Sequence, residues 1–583
     1  MPDISKMTSN VLNAYANYQA AFNELLHKVQ PGDDALESQA HLQEPFFKAW
    51  QEIASSPEQL WEHGVKMAND YYSLWQNVLE QAVNSGVEPF VKQDGKDSRF
   101  QDEAWERLPA YNFIKQSYYL NQNWINDLLA KIKTLDPKEK HKLTFYTKQL
   151  IDALSPSNFL ATNPVILRQT IESDAENLAK GAKNFLHDVK QSKASLAIST
   201  TDFKAFELGK NIAVTPGKVV YQNELMQLIQ YSPLTEKVHK TPLIMVPAWI
   251  NKYYILDLQD KNSYVRWAVE QGFTVFMVSW KNPGASLSNK SYEDYMKEGP
   301  LAAIAKVQAI TKEAKVNLLG YCLGGTLVAT TAAYLAAKKK DWINSLTFLT
   351  TLVDFTECGD VGVFIDEKQI EMLEKRMSKR GYLEGYEMAG TFSMLRANDM
   401  IWSFVVNNYL MGKDPFPFDI LYWNADSTRL PHAMHSYYLR NMYQNNLLVK
   451  PDGITVDGVP IDLRKIKLPA YILATRDDHI APWHAVFKAM ELYKGQHRFV
   501  LSASGHVAGV VNHPSKQKYC YWVNEGDVHD YNKWFAHSKQ YPGSWWLDWH
   551  MWIEGLSGEL VPGRTISGKG LEDAPGSYVK ERV

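Results

Sequence analysis

Three stretches hold side chains whose types and order could do covalent chemistry. They are Gly320-Tyr321-Cys322-Leu323-Gly324-Gly325, Thr475-Arg476-Asp477-Asp478-His479 and Ser502-Ala503-Ser504-Gly505-His506. A thiol nucleophile needs a base to take its proton and an acid to orient that base. Thiol, carboxylate and imidazole follow one another along the chain in that order. Glycines at 320 and 324 permit a strained turn in which side chains would obstruct the neighbouring backbone. A helix expected just after the turn aims N–H groups and a partial positive charge at Cys322, which favours thiolate. Standing alone, Gly-x-Cys-x-Gly is equally a buried structural thiol; the carboxylate and the histidine favour an acid–base–nucleophile site. Spacing does not choose between Asp477 and Asp478. His479 and His484 lack an accompanying cluster of carboxylate or thiol ligands, so no metal is expected.

The elements around these residues supply the needed positions. Val316 to Leu319 reads as a short buried strand and Thr326 to Lys339 as a helix, so Cys322 falls on a strand-to-helix elbow. Asp478 follows the apolar run Tyr471 to Ala474, and His506 follows Phe499 to Leu501. Further strands are expected at Lys218–Tyr221, Met226–Tyr231, Pro242–Val246, Phe273–Ser279, Ser345–Leu352, Ala470–Thr475 and Arg498–Ser502. A helix from Ser263 to Gln271 lies between two of them, and a charged, hairpin-like link joins Met226–Tyr231 to Pro242–Val246. Alternating strands and helices predict a mainly parallel sheet covered on both faces. A nucleophile, acid and histidine placed past strand ends in this order define an α/β-hydrolase fold. Its oxyanion hole uses the N–H of Leu323 and a second N–H from the loop after Leu243–Val246, near Trp249 or Ile250, with Ile250 the assigned donor. Residues 354–450 interrupt the strand rhythm and are expected to form a cap over the site.

Residues 1–195 lack strand rhythm and read as a helical N-terminal domain ahead of a catalytic domain at 196–583. Glu44–Gln51, Pro57–Asn84 and Trp105–Thr134 carry apolar residues at helical spacing, with Trp50, Trp61, Trp75, Trp105 and Trp124 as core anchors or as a partner surface. Lys92–Arg99 is expected to be a mobile connection, and Ser155-Pro156-Ser157-Asn158 a turn that starts the next helix. The 583 residues carry a formal charge of −3, which does not suggest a nucleic-acid binder. No apolar run reaches the ~18 residues of a spanning helix and none resembles a signal peptide, so a cytosolic protein is expected. Three widely spaced cysteines fit one reactive thiol better than a disulfide framework. Cysteine in place of serine suits acyl exchange between thioesters, which is nearly isoenergetic.

The residues also carry a resemblance. Gly320-Tyr321-Cys322-Leu323-Gly324-Gly325, Ile250-Asn251-Lys252-Tyr253-Tyr254-Ile255-Leu256-Asp257-Leu258, Ser279-Trp280-Lys281-Asn282-Pro283 and Phe418-Asp419-Ile420-Leu421-Tyr422-Trp423-Asn424 are similar to blocks of the class I polyhydroxyalkanoate synthases. So are Asp478-His479-Ile480-Ala481-Pro482-Trp483 and Ser504-Gly505-His506-Val507-Ala508-Gly509. The similarity runs from about Arg99 to near the C-terminus. Ala248 and His513 stand where that family usually or often has proline, and bear on substrate preference rather than on the reaction.

The resemblance implies Cys322, Asp478 and His506 as catalytic residues, and so selects Asp478 over Asp477. It implies polymerisation of (R)-3-hydroxyacyl-CoA, foremost 3-hydroxybutyryl-CoA, to polyhydroxyalkanoate with release of CoA through an acyl-cysteine. Tyr321 and Leu323 resemble the short-chain class. No cofactor is implied, because CoA belongs to the substrate and is a product. A homodimer at the surface of a polyester granule is implied, with granule-associated proteins as further partners. The N-terminal lobe and the Trp545–Trp552 cluster are the candidate dimer, granule or partner surfaces. The rival readings are a thioesterase or polyester depolymerase of the same fold, and a non-catalytic granule protein.

Overall fold

The computed structural model describes residues 2–28, 33–84, 86–92, 97–192, 196–526, 528–566 and 570–582. The chain forms two compact units, Met1–Asp202 with Thr391–Phe416, and Phe203–Gly390 with Pro417–Val583. Thr391–Phe416, inside the stretch read as a cap, thus groups with the first unit.

The first unit is helical: α1 Ile4–Lys28, α2 Asp33–Ala54, α3 Pro57–Val83, α4 Pro109–Lys131, α5 Pro137–Ala153, α6 Pro164–Glu172 and α7 Glu176–Gln191. Four of these start on proline, whose missing N–H costs nothing in the first helical turn. Pro109 also divides the helix expected over Trp105–Thr134, because Leu108 before it is extended at φ −96°, ψ 113°. The turn at 155–158 does not itself start the next helix. That helix begins at Pro164, where the Asn163 side chain accepts from Val165 and Ile166 N–H. Of the helical tryptophans, Trp105 and Trp124 are buried, while Trp50, Trp61 and Trp75 are exposed. Residues 93–96 of the expected mobile connection lie outside the described residues. Its last residue is fixed: Arg99 pairs with Asp97 at 2.7 Å and with Asp152 at 3.3 Å. From the 391–416 segment, Tyr409 donates to Asp188 of α7 and accepts, at its carbonyl, from Tyr18 of α1.

The second unit is built on one eleven-stranded sheet. Its strands are β1 Gly217–Gln222, β2 Met226–Tyr231, β3 Leu243–Val246, β4 Val275–Trp280, β5 Val316–Tyr321, β6 Ile343–Leu349, β7 Ala470–Thr475, β8 His497–Ser502, β9 Cys520–Val523, β10 Lys539–Pro542 and β11 Glu572–Asp573. The spatial order is β10-β9-β8-β7-β6-β5-β3-β4-β2-β1-β11. Six central strands, β4, β3, β5, β6, β7 and β8, pair in parallel; the flanking pairs are antiparallel. β5 and β7 are buried along their whole length, as a sheet covered on both faces requires. A central parallel sheet with strands and helices alternating along the chain is the expected fold class.

The link between β2 and β3 is not a hairpin. β2 pairs antiparallel with β4, and Lys237–His239 of the link pairs instead with Leu560–Pro562. The parallel crossover through helix α8, Tyr264–Glu270, places β4 between β2 and β3.

Trp545, Trp546 and Trp549, within the cluster read as a candidate surface, are fully buried around Tyr264, Trp267, Phe273 and Tyr471. Core burial of three large rings outweighs any surface role for them. Their indole N–H groups donate to the Gly509 and Val510 carbonyls and to Thr347 Oγ1. Among the described residues, no helix is long and apolar enough to cross a membrane.

Candidate active site

β5 runs straight into helix α9, Leu323–Ala337, and Cys322 is the residue between them. Its backbone sits at φ 53°, ψ −123°, a conformation that is strained for a residue with a side chain. Three glycines make this turn fit. A Cβ at Gly320 would lie 2.4 Å from Gly325 Cα, one at Gly324 2.2 Å from the Val246 carbonyl oxygen, and one at Gly325 1.9 Å from Thr351 Oγ1. Sequence reasoning found the first two and missed the third, whose obstruction comes from the loop after β6. The Gly324 contact brings the end of β3 directly against the elbow. Gly324→Ala is accordingly expected to lower thermal stability by roughly 1–3 kcal/mol through forced backbone movement. It should displace the Cys322 thiol as well; a melting curve and the rate of thiol alkylation by iodoacetamide read the two effects.

His506 lies in the loop after β8, and Asp478 in the loop after β7. His506 Nδ1 is 2.7 Å from Asp478 Oδ2. Asp478 is wholly buried there: Oδ2 also accepts from Thr475 Oγ1 at 3.1 Å, and Oδ1 from the Ile480 and Ala481 N–H groups at 2.8 and 2.9 Å. Four donors around one carboxylate fix its orientation toward the imidazole. Asp477 is exposed and meets the loop only through its N–H, which donates to the Ser504 carbonyl. Geometry therefore puts Asp478 and not Asp477 on the imidazole.

With Nδ1 engaged, Nε2 is the nitrogen free to face the thiol. Burial opposes a charge on His506. The charges of Asp478 and Cys322, and hydrogen bonds to both, outweigh burial and hold the ring well above its usual range. Ser504 at φ 75° turns the loop that delivers His506, and the carbonyls of Gly509 and Val510 beyond it are held by Trp545 and Trp546. His484 is turned elsewhere, 3.2 Å from Glu357.

Leu323 opens α9, and its N–H is one of the donors that a helix start leaves without an intrahelical partner. Among the described residues, neither the Leu323 N–H nor the Ile250 N–H donates to a protein acceptor. Ile250 is nevertheless 8% exposed, and its loop adjoins the elbow at Gly324. An N–H next to the nucleophile and one from the loop beside the elbow, both without a protein acceptor, are of the kind an oxyanion needs. Ala248 lies in this same loop, and His513 packs its ring edge-on against Trp546 at 5.4 Å.

Aromatic side chains complete the surroundings, and of these sequence reasoning singled out Trp249 alone, for its backbone. Trp249 meets Tyr438 edge-on at 5.3 Å, and Phe355 meets Tyr443 at 4.8 Å. Burial pushes the Tyr438 and Tyr443 hydroxyls well above the usual tyrosine range. Their neighbour Tyr437 stacks on Tyr292 instead. No local sequence signal separates adjacent tyrosines; only the helical rotation of His432–Tyr438 does.

A base held by a buried acid, a thiol on a strained elbow and two N–H groups without a protein acceptor can carry out acyl transfer. The comparisons fit this chemistry. A family model described as poly-beta-hydroxybutyrate polymerase (PhaC) N-terminus matches residues 96–268, and an alpha/beta hydrolase fold model matches residues 241–512. The chain is 46% identical over 532 residues to a poly(3-hydroxyalkanoate) polymerase of Methylorubrum extorquens, covering 90% of this chain and 88% of that one. It is 44% identical to the poly(3-hydroxyalkanoate) polymerase subunit PhaC of Rhizobium meliloti, covering 91% and 87%. It is 42% identical to the subunit of the same name from Cupriavidus necator, covering 91% and 90%. Identity at this level over nearly the whole length makes the chain a member of the poly(3-hydroxyalkanoate) polymerase family, an acyltransferase of polyhydroxyalkanoate biosynthesis on an α/β-hydrolase fold.

Proposed function

We propose that this polymerase consumes (R)-3-hydroxyacyl-CoA, principally 3-hydroxybutyryl-CoA, through an acyl-Cys322 intermediate. The observation that carries this reading is the 2.7 Å Asp478–His506 bond beside a thiol on a strained elbow. His506 takes the Cys322 proton, and the thiolate attacks the thioester carbonyl. The developing oxyanion is held by the Leu323 and Ile250 N–H groups. Collapse breaks the bond to sulfur of CoA, which leaves with the proton returned by His506. The 3-hydroxyl of another hydroxyacyl group then attacks the Cys322 thioester. His506 takes the hydroxyl proton and gives it to the departing Cys322 sulfur, so one ester forms for each CoA released. Asp478 keeps the imidazole in the tautomer that presents Nε2 and stabilises its charged form. Tyr321 and Leu323 beside the nucleophile support a short-chain substrate.

We place the enzyme at the surface of its polyester product as a homodimer. The exposed Trp50, Trp61 and Trp75 are the first candidates for granule, dimer or partner contact.

The test is a product balance. Purified protein given 3-hydroxybutyryl-CoA should release CoA and deposit insoluble polyester. Release of CoA with an equal amount of free 3-hydroxybutyrate would instead make the chain a thioesterase.

A further inference from the structure

The oxyanion loop is gripped from one direction. Thr428 Oγ1 lies 2.7 Å from the Ile250 carbonyl oxygen and 3.3 Å from that of Trp249. Trp423 Nε1 donates to the Lys252 carbonyl at 2.7 Å. The Lys252 ammonium meets Asp426 at 2.8 Å with both side chains buried, and Tyr254 donates to the same carboxylate at 2.9 Å. Three successive footholds on the loop therefore come from one short stretch, 423–428. A fourth, Trp280 Nε1 on the Pro247 carbonyl at 2.9 Å, fixes the loop's start.

The peptide bond gives this arrangement a consequence. The Trp249 carbonyl and the Ile250 N–H belong to one planar unit and point in opposite directions. Thr428 has one proton, given chiefly to the Ile250 carbonyl and at longer range to that of Trp249; holding the carbonyls on both sides of residue 250 sets where its N–H points. Thr428 makes no contact with the reacting atoms in this geometry; it acts through the loop.

We propose that Thr428 is a positioning residue for the polymerisation reaction: its hydroxyl, on the stretch that the Asp426–Lys252 pair ties to the loop, aims the Ile250 N–H at the oxyanion. This rests on the reading that Ile250 supplies the second oxyanion donor. Thr428→Val keeps the shape and removes the hydroxyl, leaving two buried carbonyls without their donor. A misdirected donor weakens binding of the tetrahedral intermediate without touching the thiol or the imidazole.

Two reactions of the same sulfur separate these effects. Acylation by 3-hydroxybutyryl-CoA passes through an oxyanion; alkylation of Cys322 by iodoacetamide does not. Thr428→Val should lower kcat for CoA release about 10- to 100-fold. KM and the alkylation rate should stay near those of the unaltered enzyme, and Thr428→Ser should recover most of kcat. An undiminished kcat in Thr428→Val overturns the proposal. So does a loss that appears in KM, or an equal slowing of alkylation, which would place the effect on substrate binding or on the thiol. So does failure of Thr428→Ser to recover kcat. Continued CoA release by Cys322→Ala would be a different failure, that of the underlying nucleophile assignment.

Discussion

Cys322→Ala is expected to abolish CoA release from 3-hydroxybutyryl-CoA, a loss on the order of 10⁶-fold, with the fold intact. The thiol is the only group at the elbow able to form a thioester. Alanine keeps the Cβ that the φ 53° backbone already tolerates, so the turn itself is not further strained. Far-ultraviolet circular dichroism and the melting temperature should therefore stay close to those of the unaltered protein. Mass spectrometry after a short exposure to substrate should find an added hydroxyacyl group on the native chain and none on the variant. Turnover above a few per cent, or acyl label retained elsewhere, would remove Cys322 from its role.

Asp478→Asn is the second large effect, with a loss of about 10⁴-fold in kcat expected from the wrong imidazole tautomer. The carboxylate accepts from Thr475, Ile480, Ala481 and His506. An amide offers one accepting oxygen and two donors to the same neighbours. If its nitrogen faces Nδ1, the ring must carry its proton on Nε2, where it cannot take one from the thiol. Charge points the same way. Burial lowers the proton affinity of His506, and Asp478 and Cys322 together raise it well above normal. Without the Asp478 charge the imidazolium is less stable, and so is the thiolate paired with it. Alkylation of Cys322 by iodoacetamide near pH 7 should therefore slow, with the rate recovering only at higher pH. An unchanged pH profile would mean that Asp478 does not tune the pair.

Much of the site was legible because its logic is local. Gly320, Cys322 and Gly324 announce an elbow within five residues, and Asp478 and His506 each follow an apolar strand. The choice between Asp477 and Asp478 was not local. It depends on which carboxylate turns inward past β7, and the resemblance, not the spacing, had selected Asp478. The strands were legible from their continuous apolar runs, but their order was not. β2 looked like a hairpin partner of β3 because nothing in a strand's own sequence names its neighbour. The tryptophans were ambiguous for a related reason. Trp545 and Trp61 are the same residue type on helical segments, yet one is fully buried and the other exposed. Thr428, Tyr438 and Tyr443 were invisible because their roles depend on contacts across long stretches of chain.

The indoles of Trp545 and Trp546 on the Gly509 and Val510 carbonyls also bear on timing during synthesis. The loop that carries His506 is braced by residues that follow it in the chain, and the sheet is closed at one edge by β11 pairing with β1. A nascent chain emerging from the ribosome exposes its thiol long before those braces exist. It thus passes through a stage with a nucleophile but no fixed base. On the proposed mechanism, acyl transfer at Cys322 thus waits until Asp478, His506 and the indoles that brace the His506 loop have been made and folded.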